Sequence, residues 1–251
     1  MVHAPGRGLL KGPALIRLLA RLTDAGFPES EQPLADRLGQ WLGWTDAIAL
    51  SSALGAKPPC APAQGPTADR AEDALCMRVR TSLTDAINRD ATLAPQRAGG
   101  RARHRRDPAP ADIAPEYAAF RQAYLALQER MDSAIGNLRT VLRGMLASRT
   151  PELSRLASVD AVMERVLGVR EHNALAAVPG LLAAHFERLR DAELAASESG
   201  NGSAEVADAE SPLKDGPWLD AFRQDMRSVL IAELEIRFQP VEGLRSALRA
   251  C

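Results

Sequence analysis

Histidines and carboxylates are the side chains from which a metal or acid–base site in this chain would start. The histidines number four, and two of them, His172 and His185, lie within one helical region. On a continuous helix these two imidazoles are about 20 Å apart, which is too far for both to bind one metal ion. Carboxylates such as Glu129 and Asp132 recur at a spacing that is typical of a solvated helical face. These residues therefore predict no catalytic site and no metal site.

The cysteines and the glycines likewise form no recognised reactive or cofactor-binding motif. The three cysteines are Cys60, Cys76 and Cys251, and their spacing fits neither a zinc site nor a disulfide framework. Reduced thiols in a cytoplasmic protein are therefore expected. The glycines between 6 and 12 are spaced one residue too widely for a dinucleotide loop, and the P-loop, H-E-x-x-H and G-x-S-x-G motifs do not occur. We expect no cofactor and a non-enzymatic protein.

An arginine-rich segment is the feature of this sequence that could bind a polyanion. It holds five arginines and no acidic residue: Arg97, Arg101, Arg103, Arg105 and Arg106. Five phosphate contacts would make the logarithm of the binding constant fall with the logarithm of salt concentration at a slope of about −4. No aromatic residue is interleaved to stack on bases, and residues 191–215 supply an acidic counterweight. A self-compensating linker is favoured, with an acidic protein or lipid surface and nucleic acid as alternatives.

The composition indicates that the chain is built from helices, which would have to position any functional site. The chain of 251 residues is 46% hydrophobic but only 4% aromatic, which is typical of packed helices rich in alanine and leucine. Its net charge of −1 provides no global field toward nucleic acid or an anionic membrane. No apolar segment reaches the roughly 18 residues that a membrane-spanning helix needs, and the start of the sequence lacks the pattern of a secretory signal.

Proline, glycine and polar residues divide the chain into four helical blocks. The blocks are an N-terminal helical block at 1–54, an amphipathic helix at 72–90, a long helical hairpin at 116–196 and C-terminal helices at 217–251. The segments between them are 55–71, 91–115 and 197–216. These segments hold too little apolar side chain to offset the entropy of an ordered backbone, so we expect disordered linkers there.

The longest apolar stripe predicts the central element of the fold. From 116 to 148 its members step by three and four residues: Tyr117, Phe120, Tyr124, Leu127, Met131, Ala134, Leu138, Val141 and Met145. Thr150 and Pro151 end this helix and cap the next one, Ser158 starts a further helix, and at Pro179 that helix kinks or a new one begins. The uneven stripe favours an all-α, elongated multi-helix bundle with a long antiparallel hairpin. A homodimeric coiled coil is the alternative.

Shorter stripes predict the flanking helices. One helix begins at Pro13 and a second near Pro33, and Gly43 ends the second before a short third helix capped by Thr45. In the last block, Pro240 is expected to end one helix before a short final helix at 241–249. The residues just before this proline alternate as in a strand, but no second strand is available to pair with them, so a helix is predicted.

Three segments resemble a known family: GPALIRLLARLTD at 12–24, LADRLGQWLGWTDAIALSSAL at 34–54 and AAVPGLLAAHFERLR at 176–190. The family is an uncharacterised proteobacterial one, domain of unknown function 3348, and the resemblance covers the chain outside its linkers. It implies no activity, cofactor or catalytic residue. Because genes of this family lie near genes for envelope proteins that resemble motor or energy-transducing complexes, the resemblance implies a soluble accessory of a membrane-associated assembly.

A non-enzymatic interaction or scaffold protein with a protein partner is the function that these features favour. Large aromatic side chains often fill partner pockets, and the candidate partner-binding residues are Trp41, Trp44, Trp218 and Phe222. For these four side chains, packing in the protein's own core between the first and last blocks is favoured, and partner binding is the alternative. A nucleic-acid accessory protein that binds through the arginine-rich segment is the rival function.

Overall fold

The described part of the chain is helical, and its helices pack into a bundle. A computed structural model describes residues 13–23, 32–55, 71–94, 117–200 and 216–250. These residues form eight helices and no β-strand: α1 (Ala14–Thr23), α2 (Leu34–Trp41), α3 (Trp44–Gly55), α4 (Ala71–Arg89), α5 (Tyr117–Ala147), α6 (Pro151–Leu175), α7 (Val178–Gly200) and α8 (Pro217–Arg249). The all-α multi-helix prediction is confirmed. None of these helices combines the length and the apolar character that a membrane span requires.

α8 is the central helix of the bundle, and α1, α4, α5, α6 and α7 pack around it. Its fully buried face includes Leu219, Phe222, Met226, Val229, Leu230 and Val241. α4 runs antiparallel to α8, since Arg80 pairs with Glu235 at 2.7 Å and Asp73 pairs with Arg249 farther along. The apolar faces of these two helices pack against each other and against α5.

α5 runs parallel to α8. The same offset of 105 residues joins Gln128 to Glu233 and Asp132 to Arg237 across the two helices. Parallel neighbours cannot be joined by a short turn, and here α6 and α7 provide the connection. The long helix thus packs along its length against helices of the same chain, and the prediction of an intramolecular bundle is confirmed.

α5 and α6 form the predicted antiparallel hairpin around a turn at 148–150. Near the open end, Gln128 Nε2 donates to the Leu175 carbonyl at 3.4 Å. Nearer the turn, Arg139 Nη2 donates to Asp160 Oδ1 at 2.7 Å. These contacts pair residues whose numbers rise on one helix as they fall on the other, which is the signature of an antiparallel pair. α6 then ends at Leu175, and α7 begins at 178, so the break predicted near Pro179 is confirmed.

The cap predicted at Thr150 is confirmed, whereas the restart predicted at Ser158 is wrong. Thr150 Oγ1 accepts a hydrogen bond from the Leu153 N–H at 3.3 Å, and Pro151 is the first helical residue. α6 continues without interruption through Ser158. The Ser158 hydroxyl donates to the Ser154 carbonyl one turn earlier at 3.0 Å. The hydroxyl thus has its hydrogen-bond partner within α6 and does not interrupt the helix.

The buried stripe of α5 follows the period of a straight helix rather than the predicted heptad. Its first half is buried as predicted, from Phe120 to Met131. Farther along, Val141 is 46% exposed, whereas Leu142 and Leu146 are fully buried. A straight helix drifts by about 20° per heptad relative to a 3.5-residue repeat, which moves the buried face onto these later positions.

α8 continues through Pro240, where the sequence predicted an end. Val241 and Leu248 stay on the buried face beyond the proline. Pro240 lacks the N–H that would donate to the Ile236 carbonyl, and a proline inside a helix costs about 3 kcal/mol. Burial of the following turns against α4 and α5 offsets this cost. The alternating residues before the proline are helical, as predicted.

Two of the predicted linkers have different boundaries in the structure. Leu93 is fully buried, and Asp90 Oδ1 accepts hydrogen bonds from the N–H groups of Thr92 at 2.9 Å and Leu93 at 3.2 Å. Residues 91–94, which the sequence analysis assigned to a linker, are therefore packed on the bundle. α7 extends through Gly200, past the boundary predicted at 197. The remaining parts of the predicted linkers lie outside the described residues.

Candidate functional site

α2 and α3 lie outside the main core and pack on α6. A second, small core joins them: Ala53, Val162 and Val166 are buried, and Leu42, Ala49, Leu50, Val159 and Leu167 are half-buried around them. Arg165 Nη2 of α6 also lies 3.5 Å from Asp46 Oδ1 of α3. α3 therefore has one face on α6 and the opposite face toward solvent.

Trp41, a candidate partner-binding residue, contacts the guanidinium groups of two arginines. The guanidinium carbon of Arg37 is 4.9 Å from the centre of the indole ring, and that of Arg170 is 5.3 Å from it. Such cation–π contacts contribute about 0.5–1 kcal/mol at exposed sites. The half-buried Trp41 thus joins α2 to α6 and offers only part of its surface to a partner.

Trp44 is the most exposed large apolar side chain of the described residues, with 82% of its surface in solvent. Ile48, one turn later, is 50% exposed, and the exposed Ser51 and Gly55 continue the same line. Residues spaced by four, three and four lie on one helical face. We call these four residues the α3 outward face. It is uncharged, because the one charged residue of α3, Asp46, points toward α6.

Trp218 and Phe222 lie inside the main core and are not available to a partner, which corrects the prediction for these two residues. They belong to an aromatic cluster where α5, α7 and α8 meet. The ring centre of Phe222 is 5.0 Å from that of Phe186 and 5.2 Å from that of Phe120. The ring centre of Trp218 is 5.3 Å from that of Phe186. Their apolar surface stabilises the packing of three helices.

A buried polar network fixes α5 against α8. The Glu233 carboxylate accepts hydrogen bonds from Tyr124 Oη at 2.5 Å, from Gln128 Nε2 at 3.0 Å and from Arg237 Nε at 2.8 Å. All four side chains are buried. Burial, together with the neighbouring Glu233 charge, raises the pKa of Tyr124, so that its hydroxyl keeps its proton and remains a donor. The carboxylate is held as a structural acceptor.

A cleft of about 380 Å³ opens beside this network, among α5, α6 and α8. Gly136 and Gly168 leave room in it, since an added Cβ at either position meets no atom within 4 Å. Its charged side chains are Asp132, Glu164, Glu171, Arg139 and Arg237. Burial raises the pKa of the Glu171 carboxyl. Both arginines form ion pairs with carboxylates of neighbouring helices, so these charges hold the helices together.

The histidines and the cysteine of the described residues lie apart from one another. His185 of α7 is buried, and its Nε2 is 2.9 Å from Asp225 Oδ2 of α8, whereas His172 is exposed at the rim of the cleft. Cys76 is buried, and burial raises the pKa of its thiol. No group of three or more His, Cys, Asp or Glu side chains in the described ranges could hold a metal ion.

Comparison with known proteins assigns the chain to a family. The sequence profile of the family described as "Protein of unknown function (DUF3348)" matches residues 1–250. The chain belongs to the DUF3348 family. No curated protein and no solved structure matches it.

The polyanion-binding prediction for this DUF3348 chain falls on a segment that the structure does not describe. Its residues are Arg97, Arg101, Arg103, Arg105 and Arg106. Cys60 and Cys251 also lie outside the described residues. For these arginines and cysteines, the predictions made from the sequence are neither confirmed nor changed by the structure.

The buried polar network of the DUF3348 chain contains residues that the sequence analysis missed. Tyr124 and Gln128 are four residues apart on α5, and Glu233 and Arg237 are four residues apart on α8. A pair of polar side chains at this spacing, placed within an apolar stripe, indicates a buried hydrogen-bonded group. That pattern is the signal that could have identified the network.

Proposed function

We propose that this DUF3348 protein is a non-enzymatic helical interaction protein, and that the α3 outward face is its interaction surface. The observation that carries the proposal is the 82% exposure of Trp44 on a face without charge. Exposed apolar groups with polar surroundings mark interaction sites. Tryptophan is also prominent among the residues that dominate the free energy of protein–protein binding.

The way in which α3 is anchored supports this proposal. Its opposite face is held on α6 through Ala53 and Asp46. A partner that covers Trp44 and Ile48 therefore meets a helix that is already ordered. Binding to an ordered surface avoids the conformational entropy cost that a flexible segment would add.

The state of the buried charges supports a structural use of the polar residues. Glu233 is bonded by three donors, and the arginines of the adjacent cleft are held in ion pairs. A catalytic group needs a free position toward a substrate, with a nucleophile, base or oxyanion donor around it. The partners of these side chains are instead residues of this chain: Arg237 on the same helix as Glu233, and otherwise side chains of neighbouring helices.

The proposed function is tested by affinity capture from soluble and membrane fractions of the source cells, because the family resemblance implies an accessory of a membrane-associated assembly. Tagged wild type is compared with Trp44→Ala and with a control, Met77→Ala, which removes an exposed apolar side chain from α4. We expect Trp44→Ala to lose a partner that the control retains, with unchanged helicity by circular dichroism. Retention of every partner by Trp44→Ala would contradict the proposal.

Nucleic-acid binding through the arginine-rich segment is the second candidate function. Its support is the run of five arginines without an acidic residue between 97 and 106. Binding to single-stranded and duplex probes is measured at about 50 mM salt, where phosphate contacts are strong. Wild type is compared with a variant in which all five arginines are replaced by glutamine. Binding that is lost in the variant supports this function, and binding that survives removes it.

A further inference from the structure

We propose that the partner of the α3 outward face is a second copy of this chain, with the two α3 helices packed antiparallel about a two-fold axis. The inference rests on the proposed function, because it names the occupant of that surface. Three observations carry it: the order of large and small residues along the face, its lack of charge, and the open space at Gly55.

The order of side chains along the face is self-complementary. The N-terminal half carries the large Trp44 and Ile48, and the C-terminal half carries the small Ser51 and Gly55. An antiparallel pair places Trp44 opposite Gly55 of the second copy, and Ile48 opposite Ser51 of the second copy. Spacing by four, three and four residues is that of the seam between two packed helices. Each large side chain then meets a small one, which is the condition for close packing.

Gly55 provides the room that this arrangement needs. An added Cβ at this position meets no atom of the described residues within 4 Å, so those residues leave the surface in front of Gly55 open. Trp44 lies about 16 Å away along the helix, at the other end of the face. The indole of a second copy can therefore cover the Gly55 backbone without displacing any described atom, while its own Gly55 receives the first indole.

The uncharged character of the face favours a second copy over a charged partner. A two-fold axis brings residues near the middle of the face close to their own copies, so that a charge there would be opposed by a like charge. Asp46, the charged residue of α3, is turned away toward Arg165 at 3.5 Å. An anionic membrane or a nucleic acid would instead need a positively charged face.

The size of the face predicts a weak, reversible dimer. Trp44 and Ile48 of the two copies together would bury about 600 Å² of side-chain surface. A standard stable interface buries about 1,600 Å². We therefore expect a dimer that dissociates in the micromolar range and whose population depends on protein concentration.

The association is tested by sedimentation velocity on the full chain between about 1 and 500 µM, the range in which a micromolar complex dissociates. Wild type is expected to convert from monomer to dimer. Ile48→Glu and Ser51→Glu each place carboxylates in the seam and are expected to weaken dimerisation by about tenfold or more. Met77→Glu makes a matching change at an exposed position on α4 and is expected to dimerise like wild type. Circular dichroism is measured on all three variants, and we expect each to keep the helicity of wild type.

The antiparallel register is tested by cross-linking with a short bismaleimide, in a chain whose Cys60 and Cys251 are replaced by serine. In the proposed register, residue 51 lies three residues, or about 4.5 Å along the axis, from its own copy. Residue 54 lies about 14 Å from its copy. Ser51→Cys is therefore expected to yield a covalent dimer, and Leu54→Cys is expected to yield little. Equal yields from the two variants would contradict the register.

Two outcomes would overturn the inference, and the first leaves the proposed function standing. A wild-type chain that stays monomeric throughout the range excludes self-pairing, while a partner still captured in a Trp44-dependent way would show that another protein occupies the face. A dimer that persists in both Ile48→Glu and Ser51→Glu would mean that self-association uses a different surface.

Discussion

Glu233 of α8 and Tyr124 of α5 share a hydrogen bond of 2.5 Å, and both side chains are completely buried. Gln128 and Arg237 donate to the same carboxylate. Because α5 and α8 run parallel, this one group sets the relative position of the two longest helices described. Sliding either helix by one turn would separate the buried carboxylate from Tyr124 and Gln128, its two donors on α5, and each lost donor to a buried charged group costs about 1–3 kcal/mol.

Glu233→Ala is expected to lower the free energy of unfolding by about 3 kcal/mol or more, since it leaves buried polar partners without their acceptor. The matched control is Glu235→Ala, two residues later on the same helix. The Glu235 side chain is 53% exposed and pairs with Arg80 at the surface, so the expected loss is below about 1 kcal/mol. Urea unfolding followed by circular dichroism measures both. Equal losses would contradict the structural role of Glu233.

The two tyrosines of the chain are expected to resist alkaline ionisation while the protein is folded. Burial raises the pKa of Tyr117 to about 12, and burial with the Glu233 charge raises that of Tyr124, against an ordinary value of about 10. Tyrosinate absorbance at about pH 10–11 is therefore expected to stay low in buffer and to appear in urea.

The same tyrosines make stability decline in strong alkali. A pKa that is higher in the folded state means that the folded protein binds the proton more tightly, so the contribution is present below about pH 10 and is lost as the pH rises toward about 12. In the control Tyr117→Phe, any tyrosinate absorbance comes from Tyr124, the remaining tyrosine. A tyrosinate signal from folded wild type at pH 10 would show that these hydroxyls are accessible.

Glu171→Gln is expected to stabilise the protein at neutral pH. Burial outweighs the attraction of Arg237 and raises the pKa of Glu171 above its ordinary value of 4.5, so the folded state binds this proton more tightly than the unfolded state. Stability therefore falls as the pH rises through the window above the unfolded pKa, and a neutral amide removes that fall. Urea unfolding at about pH 4 and pH 7 should give a gain for the variant that is larger at pH 7.

Glu152→Gln is expected to respond in the opposite direction. Hydrogen bonds from its own backbone N–H and from the Thr150 hydroxyl lower the pKa of Glu152. The stability that follows is present above the unfolded pKa and is lost as the pH falls through the lowered folded value. The variant is therefore expected to be less stable than wild type at pH 7 and to approach it in acid. A response with the same sign as that of Glu171→Gln would contradict both assignments.

Thr150→Ala is expected to destabilise the α5–α6 hairpin by about 1 kcal/mol, because it removes the acceptor of the Leu153 N–H at the start of α6. Ser158→Ala is the control on the same helix. Its hydroxyl donates to a carbonyl within α6, so the expected change stays within about 0.5 kcal/mol. Thermal unfolding of the two variants distinguishes a capping hydroxyl from an internal one. Similar melting temperatures for both would count against the cap.

Local patterns in the sequence predicted the helices because their causes are local. The apolar spacing of α5, the cap at Thr150 and the break before Pro179 each depend on residues within one or two turns. The face that an apolar stripe buries depends instead on the neighbouring helix. Val141 and Leu142 are both apolar, and only Leu142 lies on the face of α5 that packs into the main core. Continuation through Pro240 has the same cause, since distant packing offsets a local penalty.

The candidate surface could be predicted in part. Trp44 and Trp218 are the same residue type on amphipathic helices, and nothing within either helix separates them. Trp218 is covered by Phe186 of another helix, whereas the described residues leave Trp44 in solvent. The buried network escaped prediction for a related reason. The acceptor for Tyr124 lies on α8, 109 residues later in the chain.

The central position of α8 has a consequence for biosynthesis. This helix follows all the other described helices in the chain, yet it forms the core around which five of them pack. During translation those helices leave the ribosome before their common support exists. The apolar faces of these helices stay exposed to water, or bound to a chaperone, until α8 emerges. A prematurely terminated chain therefore lacks its central helix and is prone to aggregation.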